Sequence, residues 1–158
     1  MITQERLKEL LRYDPETGHF TVLVKRVSLA VGTVLGGQYS EYHQLRIEGI
    51  DYKAHRLAFL YMAASTPDQV DHINGDISDN RWCNLRAVTV NQNQWNRRAN
   101  KKSRTGFKGV APQGSKFGAK ITKNKKVYCL GTFDTAEEAH QAYCDKADEL
   151  HGIFANHG

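Results

Sequence analysis

Acidic residues are missing from the middle of this chain: Asn80 to Phe133 holds thirteen Lys or Arg and no Asp or Glu. Cysteine is scarce as well. Cys83, Cys129 and Cys144 are odd in number, far apart and without a Cys-x-x-Cys pair, which supports neither a disulfide framework nor a cysteine zinc knuckle. Long hydrophobic runs are absent. Leu57 to Ala64 is the longest, too short for a bilayer span. The opening MITQERLKEL has no apolar signal core, so no secretory leader is expected, and a reducing, cytoplasmic setting follows.

The charge that is present is unevenly placed. Before Val70, eight basic residues balance eight acidic ones, and after Phe133 six acids face one base. A basic block that keeps apolar and aromatic residues at regular spacing is the expected footprint of a folded surface that binds phosphates. At 158 residues the chain can hold one ordinary domain or two small ones.

The densest chemistry lies in VDHINGDISDNRWCNLRAVTVNQNQWN, Val70 to Asn96. Asp71 and His72 are adjacent, Asn84 follows His72 by twelve residues, and Asn93 follows Asn84 by nine. Gln69 to Ile73 reads as a strand, Asn74-Gly75-Asp76 as a turn, and Leu85 to Val88 as a second strand. Thr89 with Gln92 forms a capping box that opens a helix, on which Asn93 and Asn96 are one turn apart. The unit reads β, loop, β, helix. Asn74, Asp76 and Asn80 are read as turn residues, and His19, His43, His140 and His157 as ordinary histidines.

DHINGD, DNR..NLR and the closing T..QN..N resemble the HNH nucleases, whose ββα-metal motif carries a histidine, an asparagine and a final His or Asn. The resemblance implies His72 as general base, Asn84 as the residue that orients it, and Asp71 with Asn93 as ligands of one divalent metal. Asn93 in place of the final His favours an oxygen-ligated hard cation, Mg²⁺ or Mn²⁺, and no structural zinc is expected. The chemistry independently calls for such a set. Hydrolysing a phosphodiester needs a base for water, and neutral imidazole is available near neutral pH; it also needs a cation to neutralise phosphate.

Ahead of this run, Thr3 can cap a helix with Leu7, Leu10 and Leu11 on one face, stopped by Asp14-Pro15 and Gly18. His19 to Val24, Thr33 to Leu35 and Tyr42 to Glu48 read as strands, with a hairpin turn at Glu48 to Asp51 leading into Tyr52 to Ala54. From His55 the pattern is helical until Pro67. YDPETGHF and AHRLAFLYM resemble the leader of a phage and bacterial HNH group, so that the resemblance covers about Leu10 to Arg98. His55 is read as a buried structural histidine.

Asn96 to Arg104 lacks apolar periodicity and reads as a solvated connector. Phe107 to Ala111, Lys116 to Lys123 and Lys126 to Leu130 then read as strands, the middle one apolar on one face and basic on the other. Thr135 with Glu138 caps a final helix that Gly152 ends. TGFKGV, FGAKI and LGTFDTAEEAHQAY resemble the plant ethylene-response-factor (Apetala-type) DNA-binding domain. In that family the sheet lies in the major groove, which implies Lys108, Lys116, Lys120, Thr122 and Lys126 as DNA contacts. The connector residues Arg97, Arg98, Lys101, Lys102 and Arg104 are expected to add phosphate contacts.

The expectation is an α+β protein of three parts: an HNH nuclease domain over 1–98, a basic linker over 99–104 and an Apetala-type DNA-binding domain over 105–158. It would act as a metal-dependent DNA endonuclease of homing or phage-encoded type in a bacterial or phage-infected cell, on double-stranded DNA, away from membranes, as a monomer or weak dimer. The alternative is a DNA-binding regulatory protein with a degenerate nuclease unit.

Overall fold

The structure is a computed structural model that describes residues 2–25, 29–35, 43–97, 99 and 103–158. Tyr42, Arg98, Lys101 and Lys102, which carry expectations above, lie outside the described residues. Contacts divide the chain into two compact units, Met1–Val88 and Thr89–Gly158.

The first unit opens with α1, Gln4–Leu10, whose Thr3 side chain accepts from the Arg6 amide. The helix stops well before Asp14-Pro15. Leu11 is already extended and starts β1, Leu11–Tyr13, which pairs antiparallel with β2, Phe20–Val22, and β2 in turn with β3, Val34–Leu35. Burial explains the early end: Leu7, Leu10 and Leu11 are all buried, and a helix-to-strand switch at Leu11 lets Tyr13 join the same core.

β4, Gln44–Ile47, and β5, Ile50–Lys53, form a hairpin across Glu48-Gly49. The turn is tighter than expected, because φ of 51° and 83° at those residues makes the two-residue loop that matches strand twist. α2, Ala54–Ala63, follows and ends at Ala64 in the left-handed region. β6, Gln69–His72, pairs antiparallel with β7, Leu85–Val88, in the register Asp71 to Arg86 and His72 to Leu85. Val70 and Leu85 belong to the same core as Phe20, Leu57 and Phe59, so the β6–β7 ladder is anchored on the body of this unit.

The second unit begins with α3, Val90–Trp95, opened by the expected capping box of Thr89 and Gln92. Its sheet has the order β10-β9-β8, from β8, Val110–Gln113, β9, Lys116–Lys123, and β10, Lys126–Phe133. β8 starts three residues later than the sequence suggests, since Gly106 and Gly109 take φ of 75° and 74° and break any ladder over Phe107. α4, Ala136–His151, carries the Thr135–Glu138 capping box and ends at Gly152. Ala139, Tyr143 and Ala147 bury its inner stripe. All three cysteines are free, and among the described residues no helix is long and apolar enough to cross a membrane.

Candidate active site

The loop between β6 and β7 is held by its own short polar side chains. Asn74 Oδ1 accepts from the Asp76 amide at 2.8 Å, and Asp76 Oδ1 accepts from the Ser78 amide and hydroxyl at 2.9 and 2.7 Å. Such Asx turns set the chain direction without help from a core. Asp79 receives Arg81 Nε and Nη2 at 2.8 and 2.6 Å, and that guanidinium holds the Asp79 carboxyl down at about 2.

Asn84 fastens both ends of this loop. Its Oδ1 accepts from the Asn74 amide at 3.0 Å, its Nδ2 donates to the Asp79 carbonyl at 2.8 Å, and its own carbonyl accepts from the Ile73 amide at 2.9 Å. The leader braces the loop from outside. Tyr13 Oη donates to the Asn80 carbonyl at 2.6 Å, and the Trp82 amide to the Pro15 carbonyl at 2.9 Å. Gly18, at φ 74°, lies so near that a Cβ there would sit 2.5 Å from the Asn80 carbonyl carbon. The YDPETG stretch is therefore the wall behind the loop.

Asp71 and His72 end β6 and are buried at 6% and 4% exposure. Arg86 places Nε and Nη2 on Asp71 Oδ2 at 2.9 and 2.7 Å. The His72 Nε2 is 3.1 Å from Asn80 Oδ1, and Asn80 Nδ2 is 3.2 Å from His43 Nδ1. His55 on α2 meets the His72 ring edge-on, centroids 5.2 Å apart. Burial first, then the charges of His72, Lys53 and Arg56, pushes His55 down to about 3, so it stays neutral. Burial likewise lowers His43, helped by His19 and His72. Arg86, Asn80 and His43 are the residues that sequence reasoning passed over.

Residues 52–95 match the HNH endonuclease family. That span runs from β5 through α3 and includes Asp71, His72, Asn84 and Asn93. It supports a nuclease, a hydrolase whose substrate is DNA. No similar protein was found among curated proteins.

Asn93 lies on α3 in the second unit, and Asp71, His72 and Asn84 lie in the first. α3 is tied there by Lys108, whose Nζ donates to the carbonyls of Trp95 and Asn156 at 2.7 and 2.8 Å. Lys108 is thus committed to the fold and sits ahead of β8; burial, with Arg97 nearby, brings its amine down to about 8. Trp95 stacks on His151 at 4.4 Å, and Asn156 Nδ2 reaches Asn96 Oδ1 at 3.4 Å.

Of the other basic residues, Arg97 and Arg104 are exposed. Lys116, Lys120 and Thr122 share the open face of β9, where Lys116 also pairs with Asp134 at 2.7 Å. A groove of about 330 Å³ on that face is lined by Gln113, Gly118, Lys120, Cys129 and Thr132. Lys126 is opposite Lys123 across the hairpin, on the helix-side face, with its Nζ 5.1 Å from the Tyr128 ring centre.

Proposed function

We propose that this protein is a metal-dependent DNA endonuclease of the phage-encoded or homing HNH kind, in which His72 is the base. The carrying observation is that Asp71 and His72 close β6 beside a loop fastened by Asn84, within the segment that matches HNH endonucleases. His72 takes a proton from the attacking water, and Asn84 acts at one remove, by fixing the loop that begins at Ile73.

Asp71 and Asn93 offer oxygen donors that suit Mg²⁺ or Mn²⁺. A carboxylate has two oxygens and about four lone-pair sites, so Arg86 on Oδ2 does not exhaust Asp71 as a ligand. Among the described residues no group of three or more His, Cys, Asp or Glu could hold a metal ion, and one carboxylate with one amide falls below that count. The bound cation would neutralise the phosphate and stabilise the departing oxygen.

The C-terminal part, in our reading an Apetala-type domain beyond a linker at 99–104, binds double-stranded DNA through Lys116, Lys120 and Thr122, with Arg97 and Arg104 adding phosphate contacts. With one such site per chain, a monomer nicks. The test is relaxation of supercoiled plasmid with Mg²⁺, with EDTA, and with His72→Ala. We expect cleavage only by the wild type with metal, and a fall of roughly 10²–10⁴-fold in rate for the variant. DNA binding without cleavage by the wild type would leave a regulatory DNA-binding protein.

A further inference from the structure

Asn80 looks in sequence like a turn residue, yet it is 3% exposed, deeper than either Asn74 or Asp79 in the same loop. A buried amide is costly unless its donor and acceptor sites are matched. Here they are. Oδ1 lies 3.1 Å from His72 Nε2, while Nδ2 lies 3.2 Å from His43 Nδ1 and 3.5 Å from the Ser78 carbonyl. The Ser78 carbonyl decides which way the amide points, because the flipped amide would set oxygen against oxygen.

The proton positions then follow from what each atom can do. An amide oxygen only accepts, so His72 must carry its proton on Nε2. An amide nitrogen only donates, so His43 must present a lone pair on Nδ1 and carry its own proton on Nε2. For a neutral His72 ring, the lone pair is left on Nδ1. The backbone of Asn80 is held as firmly, by Tyr13 Oη on its carbonyl and by Gly18 packed against it.

We propose that Asn80, seated on the buried His43, is a positioning residue that fixes the tautomer and ring orientation of His72 so that Nδ1 faces the chemistry. This rests on the reading of His72 as the base, and extends it to a residue outside the expected set of Asp71, His72, Asn84 and Asn93. Orienting a base through the hydrogen bond at its other nitrogen is a general device for keeping an imidazole in one productive form. His43 contributes by orienting Asn80: the imidazole lone pair admits the amide nitrogen and would repel the amide oxygen.

The experiment uses the full chain, labelled with ¹⁵N, and reads the histidine rings by long-range ¹H–¹⁵N correlation at alkaline pH. The His72 signals are assigned by loss in His72→Gln. We expect the wild-type His72 ring to be the Nε2–H form with a slowly exchanging Nε2 proton. Asn80→Asp keeps an acceptor oxygen toward His72 Nε2 and should retain that proton signal, with His43 moving its own proton to Nδ1 to meet the second carboxylate oxygen. Asn80→Leu should lose it, and kcat for plasmid nicking should fall roughly ten- to a hundredfold with KM for DNA unchanged, the scale of a displaced catalytic group. His43→Phe should give the same changes in weaker form.

A wild-type ring protonated on Nδ1, or a folded Asn80→Leu protein that keeps the Nε2 proton signal and cleaves normally, overturns the proposal. Circular dichroism melting confirms that each variant is folded; if Asn80→Leu is not, loss of the Nε2 proton signal in folded Asn80→Asp overturns the proposal. Full activity in His72→Ala would instead remove the base reading, while the ring spectra would still judge the tautomer.

Discussion

Arg86 reaches from β7 to Asp71 on β6 and sets two nitrogens on one carboxylate oxygen, at 2.9 and 2.7 Å. Both side chains are largely withdrawn from solvent, at 15% and 7% exposure, so the pair is strong but costly to break. Losing the guanidinium removes this ion pair from a buried carboxylate, a change that costs about 3–5 kcal/mol. Arg86→Met should therefore lower the unfolding free energy by about 3 kcal/mol in urea. A cation on Asp71 would offset part of that loss. Mg²⁺ should then raise the melting temperature of Arg86→Met more than that of the wild type, and equal responses would argue against Asp71 as a ligand.

Acid should weaken the first unit through His55. An unfolded histidine titrates near ~6.5, whereas burial holds His55 down to about 3 in the folded state. Below the upper value the unfolded chain takes up a proton that the folded chain refuses. Stability is thus lost as pH falls through that window, by up to ~1.4 kcal/mol per pH unit. His55→Gln cannot titrate and should flatten this dependence. Urea midpoints at pH ~7 and ~5 measure it; parallel losses in both proteins would assign acid sensitivity to other groups.

Two glycines of the second unit should respond very differently to alanine. At Gly109, φ is 74° and a Cβ would lie 2.1 Å from the Tyr143 ring, whereas Gly114, at φ 65°, has nothing within 4 Å. Gly109→Ala must move a buried ring of α4's inner stripe, and should cost more than about 3 kcal/mol. Gly114→Ala carries only backbone strain, about 1 kcal/mol. Thermal unfolding of the pair separates close packing from turn conformation; similar losses would mean that the Tyr143 contact is yielding.

DNA binding should divide the lysines by face. Each phosphate contact adds about −0.9 to the slope of log K against log salt. Lys116→Ala and Lys120→Ala should each make the slope shallower by up to that amount, and Lys126→Ala should leave it nearly unchanged. Fluorescence anisotropy on a short duplex across a salt series gives all three. If Lys126→Ala alone changes the slope, the open face is not the DNA surface.

The local rules of sequence carried far in some places and failed in definable ones. The capping boxes at Thr89 and Thr135 and the extent of β7 are near-neighbour properties, and the structure has them where the sequence puts them. Lys126 joins the expected DNA contacts only through the resemblance to the Apetala-type sheet, and residue spacing by itself does not put it on the open face. In the structure Asn124 and Lys125, at φ 51° and 66°, form the turn, so Lys126 pairs with Lys123 and shares its helix-side face. Lys108 was misplaced for a related reason, since two left-handed glycines keep its stretch out of the strand. Asn80 and His43 were invisible for another cause. Asparagine after serine and aspartate looks like any turn, and His43 meets it only through tertiary folding.

α3 has six residues, too few for a helix to persist on its own. Beyond its capping box it is held by the Lys108 amine on the Trp95 carbonyl and by the Trp95–His151 stack, both from residues of the second unit. Its backbone amides should therefore exchange with deuterium on the timescale of the α4 amides. A substitution at His151, close to the end of the chain, should then loosen the short helix on which Asn93 sits.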